Sequence, residues 1–332
     1  MIYYLSETDV EAVVSQKEIT EAVLDGLLNL AQQQACNFPV VRQSLEYQNA
    51  VFGFKSGFDW ATPVLGIKAG GLWPANRSKG LANHQSTIVL FEPDTGAPKA
   101  LVCGTYLTGL RTAAASALSV RFLAREDVNT LGITAAGGQA EYQLRACLAE
   151  RSFERLLLPA RESGSSAVLR DRLMKKDLPI EGLSIEVLPM ETLCRESDVL
   201  ITLAASFTPY IRSSWIQPGT HLACMGTDTV GKQELDTELF RRCSVFGDAP
   251  DQNVVLGECQ HAAIAGFLNE EQIVPIGSVA RGTEEGRKKA NEITLFDSTG
   301  MGVQDLAAAQ LALRKAQALG QGIQLDQYGA SP

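Results

Sequence analysis

Three cations stand in stretches of chain that otherwise read as core. Arg42 follows Phe38-Pro39-Val40-Val41, Lys68 closes the run Val64-Leu65-Gly66-Ile67, and Arg111 sits in Leu107-Thr108-Gly109-Leu110-Arg111-Thr112-Ala113-Ala114-Ala115. A charge among small and apolar neighbours needs an ion-pair partner or a ligand, because unpaired burial is costly. Taken singly, each fits a structural ion pair. Together they fit a carboxylate site, since a guanidinium offers a bidentate fork and an ammonium a point charge. Lys55, in Gly53-Phe54-Lys55-Ser56-Gly57, adds a fourth charge, and Asn83-His84-Gln85-Ser86 adds hydrogen-bonding groups ahead of a strand. One acid, Asp228, follows the strand-like Leu222-Ala223-Cys224-Met225. It fits either a carboxylate at a ligand crevice or the N-cap of a helix over Lys232 to Phe240.

A second chemical element lies between an apolar strand, Leu131-Gly132-Ile133-Thr134, and a helix expected from Gln139 to about Glu150. The intervening turn is Ala135-Ala136-Gly137-Gly138-Gln139-Ala140. A dinucleotide fingerprint, Gly-x-Gly-x-x-Gly/Ala, uses glycines for a tight turn and close approach to pyrophosphate. Gly137 and Ala140 occupy its second and third positions, and Ala135 its first. The free N–H groups and positive end of the following helix would face the pyrophosphate. Taken alone, the turn also fits an ordinary strand-to-helix connection. The second strand, Leu156-Leu157-Leu158, ends in Pro159-Ala160-Arg161 with no acid for a ribose hydroxyl. Arg161 with Ser163, Ser165 and Ser166 fits either a 2′-phosphate or a solvated loop, so NAD and NADP both stay open.

These groups need a frame of about two domains, which 332 residues allow. The first part predicts a helix over Glu18 to Gln34 and strands at Val51-Phe54, Val64-Lys68, Thr87-Phe91 and Ala100-Val102. Pro93-Asp94-Thr95-Gly96 is a hairpin signal, so an antiparallel sheet is expected. From about residue 117 strands alternate with connecting segments, at 156–158, 185–188, 199–203, 222–225 and 245–246, which predicts a mostly parallel, doubly wound sheet. A final Ala-rich helix, Ala307 to Ala318, is placed back on the first domain. Hydrophobic residues make up 45% and the net charge is −9, so a nucleic-acid surface is disfavoured. No run is long and apolar enough to span a membrane, and the first residues lack a signal-peptide pattern. Seven scattered cysteines without a Cys-x-x-Cys pair, and only three histidines, point to the cytoplasm and away from a metal site.

With these residues in view, the chain resembles the ornithine cyclodeaminase/μ-crystallin family of NAD(P)-dependent imine and amino-acid oxidoreductases. The resemblance rests on Arg42, Gly66-Ile67-Lys68, Leu107 to Ala114, Gly137-Gly138-Gln139-Ala140, Gly226-Thr227-Asp228 with Gly231-Lys232-Gln233-Glu234-Leu235-Asp236, and Asp297-Ser298-Thr299-Gly300. Within the family, Asn37 to Arg42, Gly53 to Asp59, Lys68 to Pro74 and Asn83 to Thr87 look most like the bacterial iminosuccinate reductase branch. The resemblance implies an α/β fold with a Rossmann-type doubly wound NAD(P)-binding domain at 117–300. An α+β substrate-binding and dimerisation domain would be formed by 1–116 and 301–332. It further implies a homodimer that reduces an imino acid with NAD(P)H, in that branch iminosuccinate to L-aspartate. Arg42, Lys68 and Arg111 would bind the carboxylate, Lys55 or His84 a second one, and Asp228 and Lys68 would be catalytic. Arg111, Thr112, Gly137, Gly138, Gln139, Arg161, Met225, Gly226, Asp228, Ser298 and Gly300 would line the cofactor. Other activities in the family remain open: cyclic ketimine reduction, alanine dehydrogenation, ornithine cyclodeamination, and cofactor-dependent binding without catalysis.

Overall fold

The computed structural model describes residues 1–160, 164–174 and 182–326. In chain order the elements are β1 (Ile2–Leu5), α1 (Glu7–Val13), α2 (Gln16–Ala31), β2 (Ala35–Asn37), β3 (Val41–Ser44), β4 (Val51–Asp59), β5 (Val64–Leu72), β6 (His84–Phe91), β7 (Pro98–Cys103) and α3 (Thr105–Leu123). There follow β8 (Thr130–Ile133), α4 (Ala140–Leu148), β9 (Arg155–Pro159), α5 (Ser165–Met174), β10 (Ser184–Leu188), α6 (Met190–Glu196), β11 (Val199–Thr202), β12 (His221–Cys224) and β13 (Cys243–Gly247). The last are α7 (Pro250–Leu256), α8 (Gln260–Ile264), β14 (Val274–Pro275), α9 (Ile276–Arg281), β15 (Ile293–Asp297), α10 (Gly302–Ala318) and β16 (Ile323–Leu325). The chain forms two compact units, residues 1–111 with 301 onward, and residues 112–300.

The first unit carries a sheet in the order β16-β1-β7-β6-β5-β4-β2, with β3 also on β4. It is mixed rather than purely antiparallel, because β1 runs parallel to β7. The hairpin turn joins β6 to β7 with Gly96 at φ +70°. Ser6 and Ser15 cap α1 and α2 through reciprocal boxes with Asp9 and Glu18. That cap starts the expected helix at Gln16 rather than Glu18, and it ends at Ala31 rather than Gln34. The face of β4 and β5 that the helices cover is small and charged: Gly53, Lys55, Gly57, Asp59, Gly66 and Lys68 are all buried. Phe52, Phe54, Phe58, Leu65 and Ile67 stand on the opposite face. Helix α10 packs against α2 and this glycine-rich face. A Cβ at Gly302, the first residue of α10, would lie 2.3 Å from the backbone oxygen of Ser56 on β4, so the close approach needs glycine.

The second unit is a parallel sheet in the order β10-β9-β8-β11-β12-β15-β13-β14. Its first five strands in chain order, β8 to β12, lie 3-2-1-4-5, the doubly wound arrangement. Strands β8, β11, β12 and β15 are buried along their whole length, as a sheet covered on both faces requires. Strand β15, the apolar run Ile293-Thr294-Leu295-Phe296 ahead of Asp297, was missed in the sequence reading. No α-helix forms over Lys232 to Phe240: Leu235 bridges to Ile211, and a 3-10 helix starts only at Thr237, capped by Asp236. The N-cap reading of Asp228 therefore falls. Helix α10 begins at Gly302 rather than Ala307, with Val303 N donating to Asn37 Oδ1. No helix among the described residues is long and apolar enough to cross a membrane.

Candidate active site

Strand register gathers the cations of the first unit. Arg42 pairs with Gly53, Lys55 with Lys68, Lys68 with Ile88, and Leu72 with His84. Because side chains alternate faces, Arg42, Lys55, Lys68 and His84 all belong to the face that the helices cover. Arg111 arrives from α3, whose N-terminal amides at Thr105 and Tyr106 donate to the Glu7 carboxylate. Asp305 arrives from α10. Its Oδ1 accepts from Lys68 Nζ and from Arg111 Nε, each at 2.8 Å. Lys68 Nζ is also 2.8 Å from Oδ2, at an angle that leaves that oxygen without a hydrogen bond. Arg111 Nη1 donates to Gln304 Oε1 at 3.3 Å.

Both open readings of the cations thus carry weight: Lys68 and Arg111 do share an internal carboxylate, yet the face stays positive. Burial, then Arg111, pushes the Lys68 ammonium well below the ordinary lysine range, with Asp305 opposing. Burial would raise Asp305, but Arg111 and Lys68 outweigh it and hold the carboxyl down. His84 is pushed down to about 3 by burial, then by Lys68, Arg111 and Arg42 against the single anion Asp305. His84 is therefore neutral, and what it can offer a ligand is a hydrogen bond rather than a charge.

In the second unit the loops after β8, β11, β12 and β15 emerge from the carboxyl ends of adjacent strands, where doubly wound sheets bind ligands. A Cβ built at Gly137 or Gly138 meets nothing within 4 Å. Gln139 makes no side-chain capping bond to α4, and its Oε1 is buried without a partner. Ala140 N, the first amide of α4, donates to Gly137 O at 3.3 Å, and no side chain caps the amides that follow it. A cavity of about 590 Å³ is lined by Ala160, Met190, Ala204, Ala205, Ser206 and Tyr210, beyond β9, β10 and β11. Met225 is buried and Thr112 half-buried on α3. Arg161 and Ser163 lie outside the described residues. Ser166 is turned inward, donating to Pro159 O at 2.6 Å, and so does not serve a 2′-phosphate.

Asp228 sits in the loop after β12. Its Oδ1 accepts from Lys232 Nζ at 2.7 Å and from Thr229 Oγ1 at 3.1 Å, with the side chain 25% exposed. Buried carboxylates brace this loop. Glu234 accepts from Ala204 N and the Tyr210 hydroxyl, and a Cβ at Gly226 would lie 2.3 Å from Glu234 Oε1. Glu258 accepts from Thr227 Oγ1 and from the amides of Glu234 and Leu235. Asp297 accepts from the amides of Glu258 and Cys259. Burial pushes both Glu234 and Asp297 up to about 8. Asp248 accepts from Ser298 Oγ, from Thr299 N and Oγ1, and from Gly300 N at 2.7 Å, with Gly300 at φ +74°. Ser298 and Gly300 are thus held by Asp248.

Sequence reasoning missed Asp248, Glu258 and Asp305. Asp305 had one usable signal, an acid in an Ala-rich helix with an apolar context like that of Arg111. Asp248 and Glu258 had none, because their partners are backbone amides and hydroxyls brought together only by the sheet.

A parallel sheet in this strand order, with a glycine turn leading to an uncapped helix, defines a Rossmann-type dinucleotide fold. The chain belongs to the ornithine cyclodeaminase/mu-crystallin family, which it matches over residues 2–319. It is 41% identical over 312 residues to the iminosuccinate reductase of Paracoccus denitrificans, covering 94% of this chain and 96% of that protein. The crystal structure of that reductase in complex with NAD+ aligns with a TM-score of 0.89 over 98% of this chain and 99% of that one, at 40% identity. The Δ1-pyrroline-2-carboxylate reductase of Thermococcus litoralis, in complex with NADH and L-proline, gives a TM-score of 0.92 at 30% identity, covering 98% and 100%. An archaeal alanine dehydrogenase dimer with bound NAD gives 0.90 at 29% identity, covering 98% and 99%.

Proposed function

We propose that the protein is an NAD(P)H-dependent imino-acid reductase whose substrate is iminosuccinate and whose product is L-aspartate. The observation that carries this reading is the face of the first unit bearing Arg42, Lys55, Lys68 and Arg111. Lys55 and Lys68 stand directly opposite one another on β4 and β5, and both are buried. Such a face suits a small dicarboxylate, and the similarity to an iminosuccinate reductase supports that choice. Ornithine cyclodeamination would call for an acid facing a distal amine, where this chain places Lys55.

In this reading Arg42, Lys68 and Arg111 hold the carboxylate next to the imine carbon, while Lys55 takes the second. Asp228 holds the protonated imine nitrogen, because an iminium is the better electrophile and a carboxylate stabilises its charge. Gly137, Gly138, Gln139 and the α4 N-terminus fit the pyrophosphate of a dinucleotide. Thr112, Met225, Gly226 and the Ser298–Gly300 turn would complete that site. When bound, the reduced nicotinamide supplies the hydride. The imine carbon gains that hydride, and the resulting amine takes up a proton to become the ammonium of the product.

The reading includes a cytoplasmic homodimer. All seven cysteines are free, as a reducing compartment favours. The outer sheet face of the first unit exposes Val41, Phe54 and Trp60 by 51%, 36% and 51%, and Val41 lies across from Phe54. A second copy of the chain is the partner that such a face suits.

Oxidation of NADH and NADPH, followed in parallel with oxaloacetate plus ammonium, tests the proposal. Pyruvate plus ammonium and a cyclic ketimine are the comparison substrates. Fast turnover only with the four-carbon diacid is the expected result. Turnover with pyruvate or the ketimine instead would overturn the substrate. Cofactor binding without turnover on any of them would make the chain a binding protein.

A further inference from the structure

We propose that Lys232 is a positioning residue for Asp228, fixing the orientation of its carboxylate and supplying its counter-charge. This deepens the functional reading above and rests on it. The two residues are four apart, a spacing that pairs side chains on a helix. Here the chain is not helical, so the contact has to be built another way. Lys232 N donates to Thr229 O at 3.2 Å, and Gly231 takes φ +84°, a conformation that favours glycine. That turn folds Lys232 back onto Asp228, placing Nζ 2.7 Å from Oδ1 and 3.3 Å from Gly226 O.

The turn is itself clamped from α8. Gly231 N donates to Gln260 Oε1 at 2.7 Å, and Lys232 O accepts from Gln260 Nε2 at 3.2 Å and lies 3.0 Å from His261 Nε2. The Lys232 side chain is 10% exposed against 25% for Asp228, so the ammonium lies behind the carboxylate rather than in front of it. An exposed ion pair adds little stability, and burying an ammonium costs more than its pairing returns unless its bonds are good. A glycine turn and two side chains of α8 devoted to presenting one lysine therefore point to placement of Asp228 as the gain. An acid that must meet one substrate nitrogen benefits directly, since misplacement by about 1 Å can cost on the order of 100-fold.

The test compares the full-length wild type with Lys232→Met, Lys232→Gln, Lys232→Arg, Asp228→Asn and the double variant Lys232→Met/Asp228→Asn. The readouts are kcat, KM for the imino acid, KM for the reduced nicotinamide, and thermal melting. Lys232→Met and Lys232→Gln should lower kcat/KM about 10- to 100-fold, mainly through kcat, while KM for the nicotinamide stays within about twofold. Lys232→Arg should recover activity to within about threefold of wild type. In the Asp228→Asn background, removing Lys232 should cost less than about twofold more, because the two act as a unit. Wild-type kinetics in both Lys232→Met and Lys232→Gln would overturn the assignment. So would a full second loss in the double variant, which would make Lys232 a scaffold residue only. A wild type that reduces none of the imino acids would instead overturn the functional reading, and is distinguished by failing before any variant is compared.

Discussion

Asp305→Asn removes one negative charge from between two buried cations while keeping the shape of the side chain. Lys68 and Arg111 are each 5% exposed and both bond the same Oδ1 at 2.8 Å. Breaking a buried ion pair by deleting one partner costs about 3–5 kcal/mol, since the remaining charge is left uncompensated. Lys68 limits the damage, because burial and Arg111 already disfavour its ammonium. The expected loss is therefore near the lower figure, about 3 kcal/mol at neutral pH. At roughly 2–4 °C per kcal/mol the melting transition should fall by about 6–12 °C. The folded-state pKa of Asp305 lies below its unfolded value, so its stabilisation is present above the ordinary carboxylate range and lost as pH falls through the folded value. Melting curves from pH 7 down to pH 3 should accordingly converge in acid. A variant that melts within about 2 °C of wild type at pH 7, or a gap undiminished at the acid end, would refute the view that Asp305 is the ionised counter-charge.

Three further outcomes follow from the geometry. Gly138→Ala should leave melting unchanged, since its Cβ meets nothing within 4 Å, yet weaken dinucleotide binding about tenfold or more by filling the space before α4; fluorescence titration with NADH checks this, and equal affinity would move the pyrophosphate elsewhere. His84→Gln should flatten the stability profile in acid. The folded His84 pKa, about 3, is below the unfolded value near 6.5, so wild-type stability is full above 6.5 and falls from there toward 3. At pH 5 the variant should escape a penalty of up to about 2 kcal/mol, measured by urea unfolding. Asp248→Asn should loosen the Ser298–Gly300 turn and raise KM for the nicotinamide several-fold with little change in KM for the imino acid; an unchanged nicotinamide KM would remove that turn from the cofactor site.

The sequence showed the parallel half of the fold well and the first half less well, for a physical reason. Strands such as β8 and β11 are buried on both faces and read as short apolar runs between turns. Strands β2 and β3 have only three and four residues, and β3 is mostly exposed, so they leave no apolar trace. Of the site, the individual cations were legible because each sits where a charge is out of place. Their shared partner was not, because Asp305 lies 237 residues from Lys68 and 194 from Arg111. Asp228 was legible as a residue after a strand, but its choice between cap and ligand loop was not. The 3-10 helix over Thr237–Arg242, capped by Asp236, removes the cap reading of Asp228.

The inverted pattern of β4 and β5 connects the buried charges to the proposed assembly. A half-buried sheet ordinarily turns its apolar side chains toward its own helices. Here that face holds glycines, which let α10 come close enough to deliver Asp305, and lysines, which need it. The aromatic and aliphatic residues of the same strands are displaced by alternation to the other face, since a strand cannot shift one side chain without its neighbours. Phe52 and Phe54 meet edge to face there, with ring centroids 5.3 Å apart, and Trp73 extends the cluster. Placing charge inside therefore leaves the first unit with an apolar outer face that it cannot cover by itself. In the proposed dimer a second copy covers it, so the requirement for a polar substrate face and the requirement for a partner arise from one alternation of residues.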